Sequence, residues 1–241
     1  MRPLLAAAFL LLLAAGPVAA QELSLDLGDD RSLAARSIQL IALVTLLGLA
    51  PGLAIMVTCF PFIVTVLSIL RQAIGLQQSP PNMLIVSLAL FLTWFVMDPV
   101  FSAAWEQGVR PYLNEGVALE TALPRAIDPF RGFMANRTMP DTFAELAALR
   151  PATEAPRGTG DAPLSLLVPA FLLSEIERAF QIGFLIFLPF LIIDLVVAAV
   201  LMSMGMMMVP PAIVSMPFKL AFFVVADGWS LVAGSLVRSY Q

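Results

Sequence analysis

Histidine is absent from the 241 residues, and cysteine occurs once, at Cys59. The first absence removes Ser-His-Asp triads, histidine zinc sites and imidazole acid–base chemistry together. The second excludes a disulfide within the chain and a cysteine cluster around a metal. Charge is also scarce. Asp, Glu, Lys and Arg make up 12% of residues, where soluble domains carry about 25%. The 17 acids and 13 bases leave a net charge of -4, which offers no basic patch for nucleic acid. Apolar residues fill the space: 60% of the chain is hydrophobic, against about 45–50% in a soluble protein. That is the composition of a membrane protein.

The apolar residues fall in long runs. Leu4 to Ala15 follows Arg2 and is closed by Gly16-Pro17 and Val18-Ala19-Ala20. A basic start, a short apolar stretch and small residues before Gln21 predict a cleavable signal peptide over residues 1–20. The alternative is a first transmembrane helix, for which the stretch falls short of the about 20 residues a span requires. Residues 21–36 form a polar segment with Glu22, Asp26, Asp29 and Asp30. Residues 37–105 predict a helical hairpin around a polar turn at 71–82. Its first arm, Ile38 to Leu70, has no charge but is interrupted at Pro51-Gly52 and at Thr58-Cys59-Phe60-Pro61. Its second arm is Met83 to Met97, followed by Asp98-Pro99 and a restart through Trp105.

Residues 106–163 differ in kind. Glu106 to Asp161 holds eight acids and six bases with many prolines and glycines, and reads as a soluble insert. A helix start near Pro140, capped by Asp141 or Thr142, and a linker from Arg150 to Pro163 are predicted within it. Residues 164–241 are apolar again and predict further hairpins. One or two helices precede Pro210-Pro211 and one follows, with a methionine-rich loop at 202–209. The fold class is all-α: polytopic helical hairpins with an extracytoplasmic insert. A cleaved signal peptide places the new N-terminus and the insert outside the cytoplasm. Arg71 then lies in a cytoplasmic turn, as the positive-inside rule favours, and four spans return the C-terminus outside.

Three groups of charges stand where charge is costly. An acid or base at the centre of a lipid-facing helix costs about 2.5–3.5 kcal/mol, so Glu175, Glu177 and Arg178 face protein or water, or sit at a helix end with Glu175 and Arg178 paired at i,i+3. Asp194 and Lys219 are each isolated in apolar runs and call for partners. If the turn between their helices is only Pro210-Pro211, they lie about 24 and 12 Å from it and cannot meet in a hairpin. If the turn spans Ser203 to Pro211, the distances become about 13 and 12 Å. Either the methionine run is loop, or these charges pair with other chains.

Met202, Met204, Met206, Met207 and Met208 crowd into seven residues before Val209-Pro210-Pro211. Methionine is flexible and polarizable, and Gly205 with the prolines opposes a continuous helix. Such a loop either fills an apolar gap or lines a constriction that must seal and deform.

Leu70-Arg71-Gln72-Ala73-Ile74-Gly75, Ser79-Pro80-Pro81-Asn82, Leu88-Ala89-Leu90-Phe91-Leu92-Thr93 and Ala179-Phe180-Gln181-Ile182-Gly183-Phe184 are long ordered motifs. Phe187 to Val196, Gly205 to Pro211, Pro217-Phe218-Lys219-Leu220 and Asp227-Gly228-Trp229 continue them. In these, over about residues 38–238, the chain resembles the FliP family of flagellar export-gate proteins, whose injectisome counterparts form the SctR family. The resemblance implies a non-enzymatic, cofactor-free subunit of the bacterial inner membrane and flagellar basal body. It implies a homo-oligomeric, pentameric ring with FliR, FliQ packed outside, and contacts with other export-apparatus membrane proteins. Unfolded flagellar proteins would pass through the helical cone so formed. Met206, Met207 and Met208 would be its gasket, and Glu175, Asp194 and Lys219 assembly or intersubunit ion-pair residues. After Thr58-Cys59-Phe60, relatives often place Thr-Arg where this chain has Pro61-Phe62.

The signal peptide favours the flagellar branch over an injectisome gate. A small-molecule or ion transporter would function alone around midplane carboxylates, which the methionine loop and stranded charges oppose. An intramembrane enzyme would have only Asp194, Asp227 and Lys219 to draw on, and no catalytic motif surrounds them.

Overall fold

The computed structural model describes residues 33–75, 80–150, 158–206 and 208–240. The expected signal peptide, residues 21–32 of the polar segment, residues 76–79 of the expected turn, residues 151–157 of the linker and Met207 lie outside the described residues. Every described element is helical: α1 Leu33–Met56, α2 Phe60–Ile74, α3 Asn82–Ala104, a π-helical turn Trp105–Val109, α4 Arg110–Asn114, α5 Leu119–Arg137, α6 Pro140–Ala148, α7 Leu164–Ser203, α8 Pro211–Val225 and α9 Gly228–Arg238.

The chain divides at Gly48 into two units. The first contains the opening turns of α1, whose apolar side chains, among them Ile38, Ile41 and Val44, are exposed. Ser37–Met56 is long and apolar enough to cross a membrane. The second unit, Leu49 onward, holds the packed core. There α2 is the central element. It begins with a proline in its first turn, where no backbone N–H is needed. It ends at Gly75, whose φ of 87° is left-handed, so the Gly75 N–H closes on Gln72 O at 3.0 Å, the geometry glycine adopts most readily. Phe62, Ile63, Val66, Leu67, Leu70, Ala73 and Ile74 are all buried, and at 3.6 residues per turn they fill a single broad stripe of about 140°. α2 packs on α3, α7 and α8. Phe62, where the family resemblance leads to the expectation of arginine, is fully buried.

Of the breaks that the sequence marks, the one at Thr58-Cys59-Phe60-Pro61 separates α1, which ends at Met56, from α2, which begins at Phe60, whereas Pro51 and Pro99 lie inside continuous helices. α7 likewise runs unbroken through Pro169 and Pro189 for 40 residues. Apolar helices tolerate proline where neighbours and local adjustment re-satisfy the backbone. The expectation of one helix after Pro210-Pro211 is corrected to two. Asp227 adopts a left-handed conformation (φ 48°) and α8 and α9 bend by 61° there. Gly228 lies so close to the Phe223 ring that a Cβ would collide with it.

The 106–163 region contains helices packed on the core. The π turn and α5 touch through Gly108 and Ala126, with no room for a Cβ on Gly108. Phe101 of α3 and Phe130 of α5 pack at 5.8 Å between ring centroids. α6 starts at Pro140, with Met139 as its cap residue and not Asp141 or Thr142. Proline takes the first helical position, and the Met139 N–H donates to Ser174 Oγ at 2.9 Å. Besides α1, Asn82–Asn114 and Leu164–Ser203 are long and apolar enough to span, and the bent α8–α9 pair could make a fourth span. At 1.5 Å per residue α7 measures about 60 Å, twice the about 30 Å hydrocarbon core. It is therefore about twice as long as a perpendicular span requires, and its buried residues cluster in the first half, from Leu166 to Gly183.

Candidate functional site

α7 carries two ionic centres at different levels, and the methionine loop hangs from its far end. The first centre is Glu175, fully buried. The i,i+3 pairing read from sequence is present: Arg178 Nη1 donates to Glu175 Oε1 at 3.2 Å. Two further donors come from far along the chain. Arg137 Nε donates to the same oxygen at 3.1 Å, and the Tyr240 hydroxyl donates to Oε2. A buried carboxylate is tolerable only with its oxygens satisfied, and here both are.

The arginines are themselves braced. Arg137 Nη1 donates to Ser239 O at 2.8 Å, and Arg178 Nη1 to Arg137 O at 3.2 Å. The Arg137 guanidinium lies 4.0 Å from the Tyr240 ring centroid, a cation–π distance. Tyr240 also packs edge-on against Phe62 and stacks on Phe133. Burial first, then the Glu175 charge and the hydrogen bond to it, push the Tyr240 phenol well above the usual tyrosine range. At the foot of α2, burial pushes the Cys59 thiol up to about 12, with Glu175 adding to it against a hydrogen bond with Thr93. That thiol is inert at neutral pH. Among the described residues no group of three His, Cys, Asp or Glu could hold a metal.

The second centre joins α7 to α8. Lys219 is buried and its Nζ donates to Asp194 Oδ2 at 2.6 Å and to Ala73 O, on α2, at 3.1 Å. Ser215 Oγ donates to Asp194 Oδ1 at 2.5 Å. Three helices therefore meet on one ion pair. Of the two readings of these charges, the structure takes the longer loop: α7 ends at Ser203 and α8 begins at Pro211. Both carboxylates find their partners inside one chain, where the sequence alone also allows pairs between chains.

Gly205 turns the chain at φ 74°, and the Met206 N–H returns to Leu201 O at 3.0 Å. Met208 is 99% exposed and Met206 partly so, while Met202 and Met204 are also exposed. Beside the loop, α7 and α8 enclose an apolar cavity of about 600 Å³ lined by Ile192, Val196, Val200, Met204, Met206 and Phe218. A polarizable apolar knob on a turn, tethered by a buried ion pair, can press on other apolar surfaces without presenting a hydrogen-bonding group. Met207 lies outside the described residues.

Sequence reasoning identifies Glu175, Asp194 and Lys219 but misses Arg137, Tyr240 and Ser215. Arg137 stands among six bases of the charged region, and nothing in its spacing links it to a residue 38 positions on. The one available signal is the need of Glu175 for a second donor.

A family model described as "FliP family" matches residues 43–236. "Flagellar biosynthetic protein FliP" of Caulobacter vibrioides is 49% identical over 98% of this chain and 89% of its own length. The protein of the same description from Bacillus subtilis is 45% identical over 85% of this chain and 92% of its own length. That from Aquifex aeolicus is 42% identical over 96% and 98%.

Proposed function

This chain belongs to the FliP family, and from that premise we propose that it is a core channel subunit of the flagellar type III protein export gate. Membership makes it a membrane component of flagellar protein export and not an enzyme. Beyond that, several copies form a ring with FliR, pentameric by the family resemblance, and FliQ packs outside. Unfolded flagellar proteins cross the inner membrane through it. The new N-terminus left by removal of residues 1–20, and the 106–163 region, face the periplasm. Met206, Met207 and Met208 close the pore as a gasket. Glu175, Asp194 and Lys219 serve assembly by holding each subunit in the shape that packs.

One observation carries this reading. An exposed methionine turn sits on a hairpin whose two legs are locked by the Asp194–Lys219 pair. Such a turn suits a seal that must yield to varied apolar and polar cargo and close again, because methionine re-packs readily. An injectisome gate is the other reading of this architecture; the three relatives above carry flagellar descriptions, which favours the flagellar one.

The test is a clean in-frame deletion complemented from a plasmid, scored by hook and filament proteins in the culture medium. Export should vanish on deletion and return with the plasmid. Export that persists in the deletion strain overturns the proposal.

A further inference from the structure

Asp98 is the only charged residue of α3, and it is exposed. Among the described residues nothing donates to it, by ion pair or hydrogen bond. An unpaired carboxylate on an exposed apolar helix is costly in lipid and marks a place that expects a partner. It borders a recess of about 420 Å³ walled by Trp94, Phe95, Pro99, Val237 and Tyr240. Aromatic and apolar walls with one carboxylate at the rim are the chemistry of a site for a cationic side chain. The stem packs, the ring faces attract the charge, and the carboxylate pairs with it.

The same chain carries the complementary charge unpaired. Arg125 on α5 is exposed and has no oxygen partner among the described residues. The other bases with described side chains each hold an oxygen: Arg71 that of Asn82, Arg110 that of Glu106, Arg131 that of Ala162, Arg150 that of Ser165, Arg238 that of Ser235, and Arg137, Arg178 and Lys219 those of the two ionic centres. Within one chain the two charges do not meet. The Phe101–Phe130 and Gly108–Ala126 contacts set α3 and α5 antiparallel. Asp98 then lies three residues below that aromatic pair and Arg125 five above it, about 12 Å apart in level.

We propose that Asp98 receives Arg125 of a second copy of this chain, so that the pair closes the contact between neighbouring subunits. A donor on one surface and an acceptor on another make a head-to-tail contact, the kind that closes into rings. Helices that slant relative to the ring axis shift each copy along its neighbour, which brings residues at different levels face to face. The inference rests on the ring reading above and names the residues that would join its members.

The experiment uses the full chain in membranes, co-expressed with its export-gate partners. Asp98→Arg and Arg125→Asp each place like charges together and should lower the yield of ring on native gels by about tenfold. The double variant, which restores opposite charges in swapped positions, should return it to within about twofold of wild type. Asp98→Asn, which removes the charge with little change of shape, guards against a folding artefact. In parallel, Asp98→Cys and Arg125→Cys are carried on separate chains and treated with a short bis-maleimide; Cys59 is buried and does not compete. A mixed adduct that needs both cysteines is expected. A ring that forms without that adduct, or that is indifferent to both single charge reversals, overturns this pairing and leaves the ring intact as a reading. A wild-type chain that forms no ring overturns both.

Discussion

Lys219 reaches back 25 residues to Asp194, Nζ to Oδ2 at 2.6 Å, and the same ammonium group donates to Ala73 O on α2. The two legs of the methionine hairpin and the central helix are thereby fastened at one point. A buried pair of this kind is weak evidence for stability, since desolvation offsets most of the attraction. Its consequence is asymmetric: losing one partner is far worse than losing both.

Asp194→Ala should therefore destabilise the chain by about 3–5 kcal/mol, because Lys219 is left buried and unpaired. Asp194→Leu combined with Lys219→Met should recover most of that loss. Thermal unfolding in detergent checks both. A double variant as unstable as the single one would show that the pair is not the relevant unit.

Tyr240→Phe removes the hydroxyl that satisfies Glu175 Oε2 and leaves a buried oxygen without its donor, at a cost of about 1–3 kcal/mol. It should also change the alkaline limb of stability. The folded-state phenol titrates above its unfolded value, so its contribution is fully present below the ordinary tyrosine pKa of about 10 and is lost as pH rises beyond it. Unfolding midpoints measured from about pH 8 to 11, across that ordinary value, should fall less steeply in Tyr240→Phe than in wild type.

Replacing Met206, Met207 and Met208 with glycine should raise small-ion leak across membranes that contain the assembled complex, without lowering its yield. Conductance in a planar bilayer beside a native gel separates the two quantities. An ion-tight variant in an intact complex would remove the gasket from the account.

Gly108→Ala places a methyl group against the backbone and Cβ of Ala126. Backbone cannot swing aside as a side-chain tip can, so about 1–3 kcal/mol of destabilisation is expected from overpacking. Gly132, which has open space around a Cβ, is the control: Gly132→Ala should be neutral or slightly stabilising, as alanine favours helix. Chemical denaturation of the two variants side by side decides it.

Local backbone rules make part of this arrangement legible in the residues alone. Gly205 and Pro210-Pro211 predict a loop from about Ser203 to Pro211, and the axial arithmetic then allows Asp194 and Lys219 to meet; the structure contains both the loop and the contact. The Glu175–Arg178 pair follows from i,i+3 geometry in the same way. The rest needs the fold. Arg137 and Tyr240 lie 38 and 65 residues from Glu175, and no periodicity links such positions. Pro51 and Pro99 mislead because proline's cost depends on what surrounds it, and the break at Asp227 escapes notice because one left-handed residue leaves little trace in composition. The charged stretch after Trp105 reads as a soluble insert, and composition alone does not say that its helices α5 and α6 pack against α3 and α7.

The length of α7 has a mechanical corollary. From Glu175, pinned by two arginines and a tyrosine, to Ser203 at the root of the methionine turn is 28 residues, about 42 Å of continuous helix. A lever of that length converts angle into displacement. A tilt of about 5° at the pinned end carries the far end sideways by about 4 Å, the separation of two carbon atoms in contact. The Asp194–Lys219 tie lies partway along that lever; with the tie released, a small rotation at the anchored end is enough to make or unmake an apolar contact at the methionine turn, so the second ion pair is what holds the lever still.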